Sequence, residues 1–155
     1  MSRDGGFTLI EIILVLVIFS VIAALASVNL IRPQGRALLD TTVTTLVADL
    51  RQQQLKSMVG YSENGNSSIQ GIFFEANSYT LFKDSYIPDA LDNFTVDLGP
   101  AIVITNNLPG SRVVFSRTSG EVDGFAGGME IEISNPATGE TKTVGINRFG
   151  SMEVN

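Results

Sequence analysis

The chain has 155 residues, a hydrophobic fraction of 44% and a formal net charge of −6, which allows one domain of ordinary size with a substantial core. It contains neither cysteine nor histidine, which excludes disulfides, thiol nucleophiles and any chemistry that depends on an imidazole. An acidic chain repels phosphate groups, which argues against nucleic acid as a partner.

The apolar residues are concentrated near the N-terminus. Residues 7–31 (FTLIEIILVLVIFSVIAALASVNLI) contain one ionisable side chain, Glu11. As a helix this segment would be about 37 Å long, more than the roughly 30 Å of a hydrocarbon core, so we predict a transmembrane helix. A secretory signal cut near Ala23, Ala24 and Ala26 and a plain single-pass anchor are the alternatives, but neither explains Glu11.

Glu11 is the unusual residue of this segment. A carboxylate buried unpaired in a membrane is costly, so Glu11 either lies at the level of the lipid headgroups or serves a function. The residues around it favour a function, because the contiguous string Gly6-Phe7-Thr8-Leu9-Ile10-Glu11 resembles the signature of type IV pilins and pseudopilins. In that signature a glycine precedes Phe-Thr-Leu-Ile-Glu and an unbroken apolar helix.

The resemblance implies an order of processing and assembly. Residues 1–6 would be a leader, and a prepilin peptidase would cut between Gly6 and Phe7 on the cytoplasmic face and methylate the new amino group of Phe7. Residues 7–31 would stay in the mature protein, first as membrane anchor and later as filament core. Glu11 would offset the amino-terminal charge of a neighbouring subunit, since paired charges lower each other's burial cost. The positive-inside signal of the leader is weak, because the positive charge of Arg3 is accompanied by the negative charge of Asp4.

Residues 32–60 carry a second helical pattern. Arg32, Pro33 and Gly35 predict either a kink or short unwound stretch, or simply the end of the membrane helix. From about residue 37 to residue 59 the periodicity predicts an amphipathic helix that Gly60 ends. Its apolar stripe consists of Leu39, Val43, Leu46 and Leu50, flanked by Ala37, Val47 and Met58.

Residues 61–155 are predicted to form a globular β domain. A hairpin is expected from strands 69–75 and 78–83, followed by a loop over 84–93, because short β-rich runs alternate there with turn residues. Further strands are expected at 94–98, 101–105, 112–116, 129–134, 141–147 and 151–154. A helix followed by short strands predicts the α+β class.

Two stretches of the C-terminal half carry a second resemblance. Residues 113–121 (VVFSRTSGE) and 143–150 (TVGINRFG) resemble patterns of the GspH/FimT family of minor pseudopilins and minor pilins. This resemblance implies an antiparallel two-sheet β domain on which the long helix packs, with Phe115 in the core and Gly120 in a turn. Some members bind DNA through arginines after the terminal glycine. Ser151, Met152 and Glu153 stand there instead, which argues against DNA uptake.

No catalytic or cofactor-binding pattern is found. Residues 124–128 (GFAGG) lack the lysine and the following helix of a phosphate-binding loop. Residues 84–97 contain four carboxylates that could in principle bind calcium, namely Asp84, Asp89, Asp92 and Asp97. Their spacing matches no known calcium-binding loop, so we expect them to be solvated side chains. We therefore predict a protein that is not an enzyme, with no metal and no cofactor.

Together these patterns predict a minor pilin-like subunit of a type II secretion pseudopilus or a type IV pilus. The predicted location is the inner membrane, crossed once, with the β domain in the periplasm or outside. The predicted partners are a prepilin peptidase, other pilin-like subunits and the inner-membrane assembly platform. The alternatives are a membrane-anchored β-domain binding module that never polymerises, and a minor pilin of competence and DNA uptake.

Overall fold

The computed structural model describes residues 8–28, 31–60 and 68–155. The chain divides after Gly35 into two compact units, Met1–Gly35 and Arg36–Asn155. The first unit contains helix α1, Leu9–Val28, which consists almost entirely of aliphatic residues. Within these described ranges, no helix combines the length and the apolar character that crossing a membrane requires.

Helix α2 spans Ile31–Val59. Arg32, Pro33 and Gly35 all lie within this helix. Of the alternatives expected there, an unwound stretch at these three residues is therefore wrong, whereas a kink or the end of the membrane helix stays a prediction. Gly60 follows the helix with a φ of 64°, the left-handed conformation that commonly ends helices.

In the described residues that follow α2, eight strands form two antiparallel four-stranded sheets. The strands are β1 (Gln70–Phe74), β2 (Ser78–Lys83), β3 (Phe94–Asp97), β4 (Val103–Asn106), β5 (Arg112–Phe115), β6 (Met129–Asn135), β7 (Glu140–Ile146) and β8 (Met152–Val154). One sheet has the order β3-β2-β1-β5 and the other β4-β6-β7-β8. The predicted hairpin is confirmed, with Phe74 opposite Tyr79 at its turn. The α+β class and the packing of a helix on two antiparallel sheets are confirmed as well.

The core of the second unit lies between α2 and the two sheets. The predicted stripe of Leu39, Val43, Leu46 and Leu50 is buried, and each of its side chains is at most 3% exposed. Strand β6 alternates as predicted, since Met129, Ile131 and Ile133 are buried while Glu130 and Glu132 are exposed. Of the residues expected to flank the stripe, Val47 packs against the core, whereas Ala37 and Met58 are exposed.

Polar contacts fix α2 on the sheets. Near its start, Arg36 pairs with Glu140 and Asp40 pairs with Lys142, so one turn of the helix is joined to alternate residues of β7. These pairs are at least partly exposed and contribute little to stability. They do, however, oppose a shift of the helix along β7, since each charge would then face the wrong partner.

Candidate functional site: the N-terminal segment and the helix–loop junction

The predicted cleavage residues Gly6 and Phe7 lie outside the described residues. The described chain begins with Thr8, which immediately precedes α1, and Glu11 lies in the first turn of that helix. The third predicted site residue can therefore be placed in the structure.

Thr8 and Glu11 form a cap at the start of α1. The Oε2 atom of Glu11 accepts hydrogen bonds from the main-chain N–H of Thr8 at 3.2 Å and from its hydroxyl at 3.1 Å. The Thr8 carbonyl in turn accepts from the N–H groups of Glu11 and Ile12. A threonine followed three residues later by a glutamate that reaches back to it is the pattern of a capping box, and the carboxylate also lies at the positive end of the helix dipole. Glu11 thus stabilises the start of α1 within one chain.

The described side chains of α1 are exposed along its length, from Leu9 to Leu25. The large apolar residues among them are 50% to 78% exposed. The hydroxyl of Ser20 donates to the carbonyl oxygen of Leu16 at 2.7 Å, so this polar group is satisfied within the helix. An apolar surface of this extent is characteristic of a contact with lipid or with other protein.

The two stretches that resemble the GspH/FimT pattern meet at the C-terminal part of α2. The Nε2 atom of Gln54 donates to the carbonyl oxygen of Gly120 at 3.0 Å and to that of Phe149 at 2.8 Å. The N–H of Thr118 donates to the carbonyl oxygen of Ser57 at 3.1 Å. We call this set of contacts the helix–loop junction; it joins α2 to the β5–β6 loop and to the β7–β8 turn.

Two glycines allow the close approach at this junction. Gly120 and Gly150 have φ values of 68° and 73°. A Cβ on Gly120 would lie 2.6 Å from Cγ of Met58, and one on Gly150 would collide with the amide of Gln54. Phe115, at the end of β5, is fully buried. The structural roles predicted for Phe115 and Gly120, in core and turn, are confirmed.

The two loops are also joined to each other. The N–H of Val122 donates to the carbonyl oxygen of Arg148 at 2.9 Å, and the Arg148 guanidinium lies 3.9 Å from a carboxylate oxygen of Glu121. In the β7–β8 turn, Oδ1 of Asn147 accepts from the N–H groups of Phe149 and Ser151. Both stretches of the second resemblance therefore contribute to one structural unit.

The sequence did not reveal the polar residues on the buried face of α2. Gln53 and Ser57 are 2% and 0% exposed, and Ser57 Oγ accepts from the N–H of Gln70 at 3.1 Å. These residues continue the apolar stripe after Leu50 at spacings of three and four. That spacing, followed past the last leucine, is the signal that would have placed them at the interface.

The acidic residues of the β2–β3 region do not converge. Asp84 lies 3.6 Å from the guanidinium of Arg117, and Oδ1 of Asp97 accepts from the N–H of Gly99 at 2.8 Å. In the part of the chain that the structure describes, no three acidic side chains come together as a metal site would require. Residues 124–128 lead into strand β6 rather than into a helix.

Comparison with known proteins identifies the N-terminal segment. Residues 1–27 match the family model of the prokaryotic N-terminal methylation motif, which supports a type IV pilin-like precursor. The motif suggests membrane anchoring, implies processing by a prepilin peptidase and implies pilin-like partners. It occurs in a class of structural rather than enzymatic proteins. No curated protein and no solved structure matches the chain.

Proposed function

We propose that the chain is a minor pilin-like subunit that prepilin peptidase cuts between Gly6 and Phe7 and methylates at Phe7. The mature protein then enters a type II secretion pseudopilus or a type IV pilus. The observation that carries the proposal is the methylation motif at residues 1–27. Residues 1–6 are the leader, 7–31 the anchor and filament-core segment, 32–60 the amphipathic helix and 61–155 the β domain.

The exposed apolar surface of α1 supports this proposal. Apolar side chains stabilise a structure by roughly 25 cal/mol per Å² removed from water, and the described side chains of α1 are at least half exposed where they are large and apolar. Lipid covers such a surface before assembly, and the α1 helices of neighbouring subunits cover it in a filament. The subunit therefore occupies the inner membrane, which it crosses once, with its β domain in the periplasm or outside.

The cap at Thr8 gives Glu11 a second role in this proposal. Before assembly the carboxylate is satisfied by Thr8 of its own chain. In the filament it also offsets the methylated amino group of a neighbouring subunit, because a carboxylate retains acceptor capacity beyond two hydrogen bonds. Pairing of these charges favours one axial register among the packed helices.

The branch that we propose is the GspH/FimT-like one. Its support is the helix–loop junction, where the two stretches that resemble this family meet Gln54. A DNA-uptake function has no such support, since Gly150 is followed by Ser151, Met152 and Glu153, and the last two lie in β8. The proposed role is structural, with no reaction assigned to the chain and no cofactor or metal.

Filament incorporation tests the proposal. The wild-type chain and the variants Glu11→Gln and Glu11→Ala are produced in cells that contain a prepilin peptidase, the assembly platform and the other subunits. Sheared filaments and membranes are then analysed separately. We expect the wild type in both fractions and both variants in membranes alone, with their leaders removed. Glutamine keeps an oxygen that can accept the hydrogen bonds from Thr8. The Gln variant therefore removes the negative charge of residue 11 but keeps the cap of α1.

Two results would contradict specific parts of this account. A wild-type chain that stays in membranes while the other subunits form filaments would favour the anchored binding module. If the Gln variant entered filaments normally and the Ala variant did not, the role of Glu11 would be limited to capping α1.

A further inference from the structure

The connection between β2 and β3, residues 84–93, is a fixed loop that exposes apolar side chains. The Nδ2 atom of Asn93 donates to the carbonyl oxygen of Ile87 at 2.8 Å, and Ala90 and Asn93 donate main-chain hydrogen bonds within the loop. Despite this order, Ile87 is 61% exposed, Leu91 is fully exposed and Phe94 is 65% exposed. Exposed apolar side chains that lie close together in sequence, two on an ordered loop and one at the start of β3, indicate a contact surface.

The same region is acidic. Residues 84–98 contain four aspartates and no lysine or arginine. Asp84 pairs with Arg117, whereas Asp89, Asp92 and Asp97 form no ion pair with any described residue. A basic partner complements such a surface, and a second copy of this chain, with its net charge of −6, is repelled by it.

A cleft beside the loop is lined by a glutamine whose side-chain oxygen has no hydrogen-bond partner among the described residues. The cleft, of about 250 Å³, lies between α2 and the sheet that contains β3, and Asp92, Phe94 and Gln53 are among its lining residues. Gln53 is only 2% exposed, and its buried Oε1 atom has no hydrogen-bond partner in the described structure. A donor from outside can satisfy this buried acceptor if the Gln53 amide turns toward the cleft. Lys56 and Lys83 also line the cleft, so a neutral donor fits better than an ammonium group.

Strand β3 is the first strand of its sheet, and its outer edge pairs with no other strand that the structure describes. The N–H of Leu98 donates to the carbonyl oxygen of Asn77 on the β2 side. Because main-chain groups alternate in direction along an antiparallel strand, Val96 and Phe94 also face β2, while Thr95 and Asp97 direct their N–H and C=O groups to the open edge. These groups can pair with one more extended chain.

We infer that residues 87–97 and the adjoining cleft form a docking surface for an extended, basic and apolar segment of a different protein. The segment lies along Thr95 and Asp97 of the β3 edge, and its apolar side chains pack on the exposed loop. Its lysines or arginines pair with the aspartates at the rim. A neutral donor of the segment pairs with Oε1 of Gln53 once that amide has turned toward the cleft. This surface belongs to the β domain and does not depend on processing of the N-terminus.

Titration with synthetic peptides tests this inference. Two peptides of roughly six residues, the usual strand length, alternate valine with lysine or valine with glutamate. Each is titrated calorimetrically into the full chain in non-ionic detergent at low salt. We expect heat of binding from the lysine peptide alone. The double variant Leu91→Ser/Phe94→Ser should weaken binding roughly tenfold or more, as expected for apolar anchors, and Asp89→Asn/Asp92→Asn and Gln53→Leu should each weaken it severalfold.

Matched controls separate this site from general charge attraction. Glu130→Gln/Glu132→Gln makes the same change of net charge on the exposed face of β6, and Leu55→Ser removes an exposed leucine from α2; both should bind the peptide as the wild type does. The inference is overturned if the lysine peptide does not bind, if the Glu130/Glu132 variant loses as much affinity as the Asp89/Asp92 variant, or if the Leu91/Phe94 variant binds normally. Self-association of the wild type that the Leu91/Phe94 variant lacks would overturn it as well, because the occupant would then be a second copy.

Discussion

The hydroxyl of Tyr79 donates a hydrogen bond to Oδ2 of Asp49 across 2.6 Å, and this contact joins β2 to the middle of α2. The Tyr79 side chain is almost fully buried. Burial raises the pKa of the Tyr79 hydroxyl above its ordinary value of 10.0, and the hydrogen bond and the charge of Asp49 raise it further. Folding therefore holds the Tyr79 proton more tightly than the unfolded chain does.

This difference predicts a loss of stability at alkaline pH. Above the ordinary tyrosine pKa of 10.0, the unfolded chain loses the proton before the folded chain does, so the free energy of unfolding falls as the pH rises. Below that pH the contribution is fully present. Tyr79→Phe should lower the free energy of unfolding by about 1–2 kcal/mol at neutral pH and should remove the part of the alkaline decline due to Tyr79. Urea unfolding of both chains over this pH range measures the effect; parallel curves would contradict it.

Because Gln54 bridges two loops, its substitution should lower the free energy of unfolding more than substitution of the neighbouring Gln52. Gln54→Ala leaves the carbonyl groups of Gly120 and Phe149 without this donor, and we expect a loss of about 1–3 kcal/mol in the free energy of unfolding. Gln52→Ala is the matched control, because Gln52 is exposed on the same helix, and it should change stability by less than about 0.5 kcal/mol. Equal losses in urea unfolding would show that Gln54 does not hold the junction.

Gly120 and Gly99 have the same φ, so substitutions at these two positions distinguish the cost of backbone strain from the cost of overpacking. Gly120 and Gly99 both have a φ of 68°, but a Cβ on Gly120 would meet Met58 whereas one on Gly99 would meet nothing within 4 Å. Gly99→Ala should cost about 1–2 kcal/mol for the left-handed conformation, and Gly120→Ala should cost a further 1–3 kcal/mol, roughly, for overpacking. Thermal unfolding of both variants gives the comparison. A Gly120 variant as stable as the Gly99 variant would mean that Met58 moves freely aside.

Gly71 in β1 supports a second packing prediction. A Cβ there would lie 2.5 Å from Cζ of Phe82 on the neighbouring strand and 2.8 Å from the carbonyl oxygen of Val113. Gly71→Ala should destabilise the chain by roughly 1–3 kcal/mol or more, since the carbonyl cannot yield. At Gly145 in β7 the nearest contact of an added Cβ is 3.9 Å, so Gly145→Ala should be nearly neutral. Equal losses of thermal stability in the two variants would show that the contact with Phe82 does not restrict the size of the side chain at position 71.

Periodicity and turn residues were enough to predict most of the fold. The spacing of Leu39, Val43, Leu46 and Leu50 identified the buried face of α2, and the alternation in β6 identified its two faces. The amphipathic helix was expected from about residue 37 because proline was treated as a break, whereas Pro33 is helical in the structure and lies within α2.

The contacts of the candidate site were less predictable. The string that ends at Glu11 indicated its chemistry, but the cap with Thr8 depends on the conformation at the start of α1. The spacing from Leu50 indicates that Gln53 is buried, but no local pattern predicts the contacts of Gln53 or of its neighbour Gln54. Their roles arise from the loops that meet Gln54 and from the sheet that covers Gln53, which are distant in sequence.

The chemical identity of the mature N-terminus decides whether the chain is processed as a pilin-like precursor. The chain is extracted from membranes of cells that contain a prepilin peptidase, and its N-terminal peptide is sequenced by mass spectrometry. We expect the peptide to begin at Phe7 with a methylated amino group and to have Glu11 as its fifth residue. A chain that still begins at Met1, or one that begins after Ala26, would contradict this expectation.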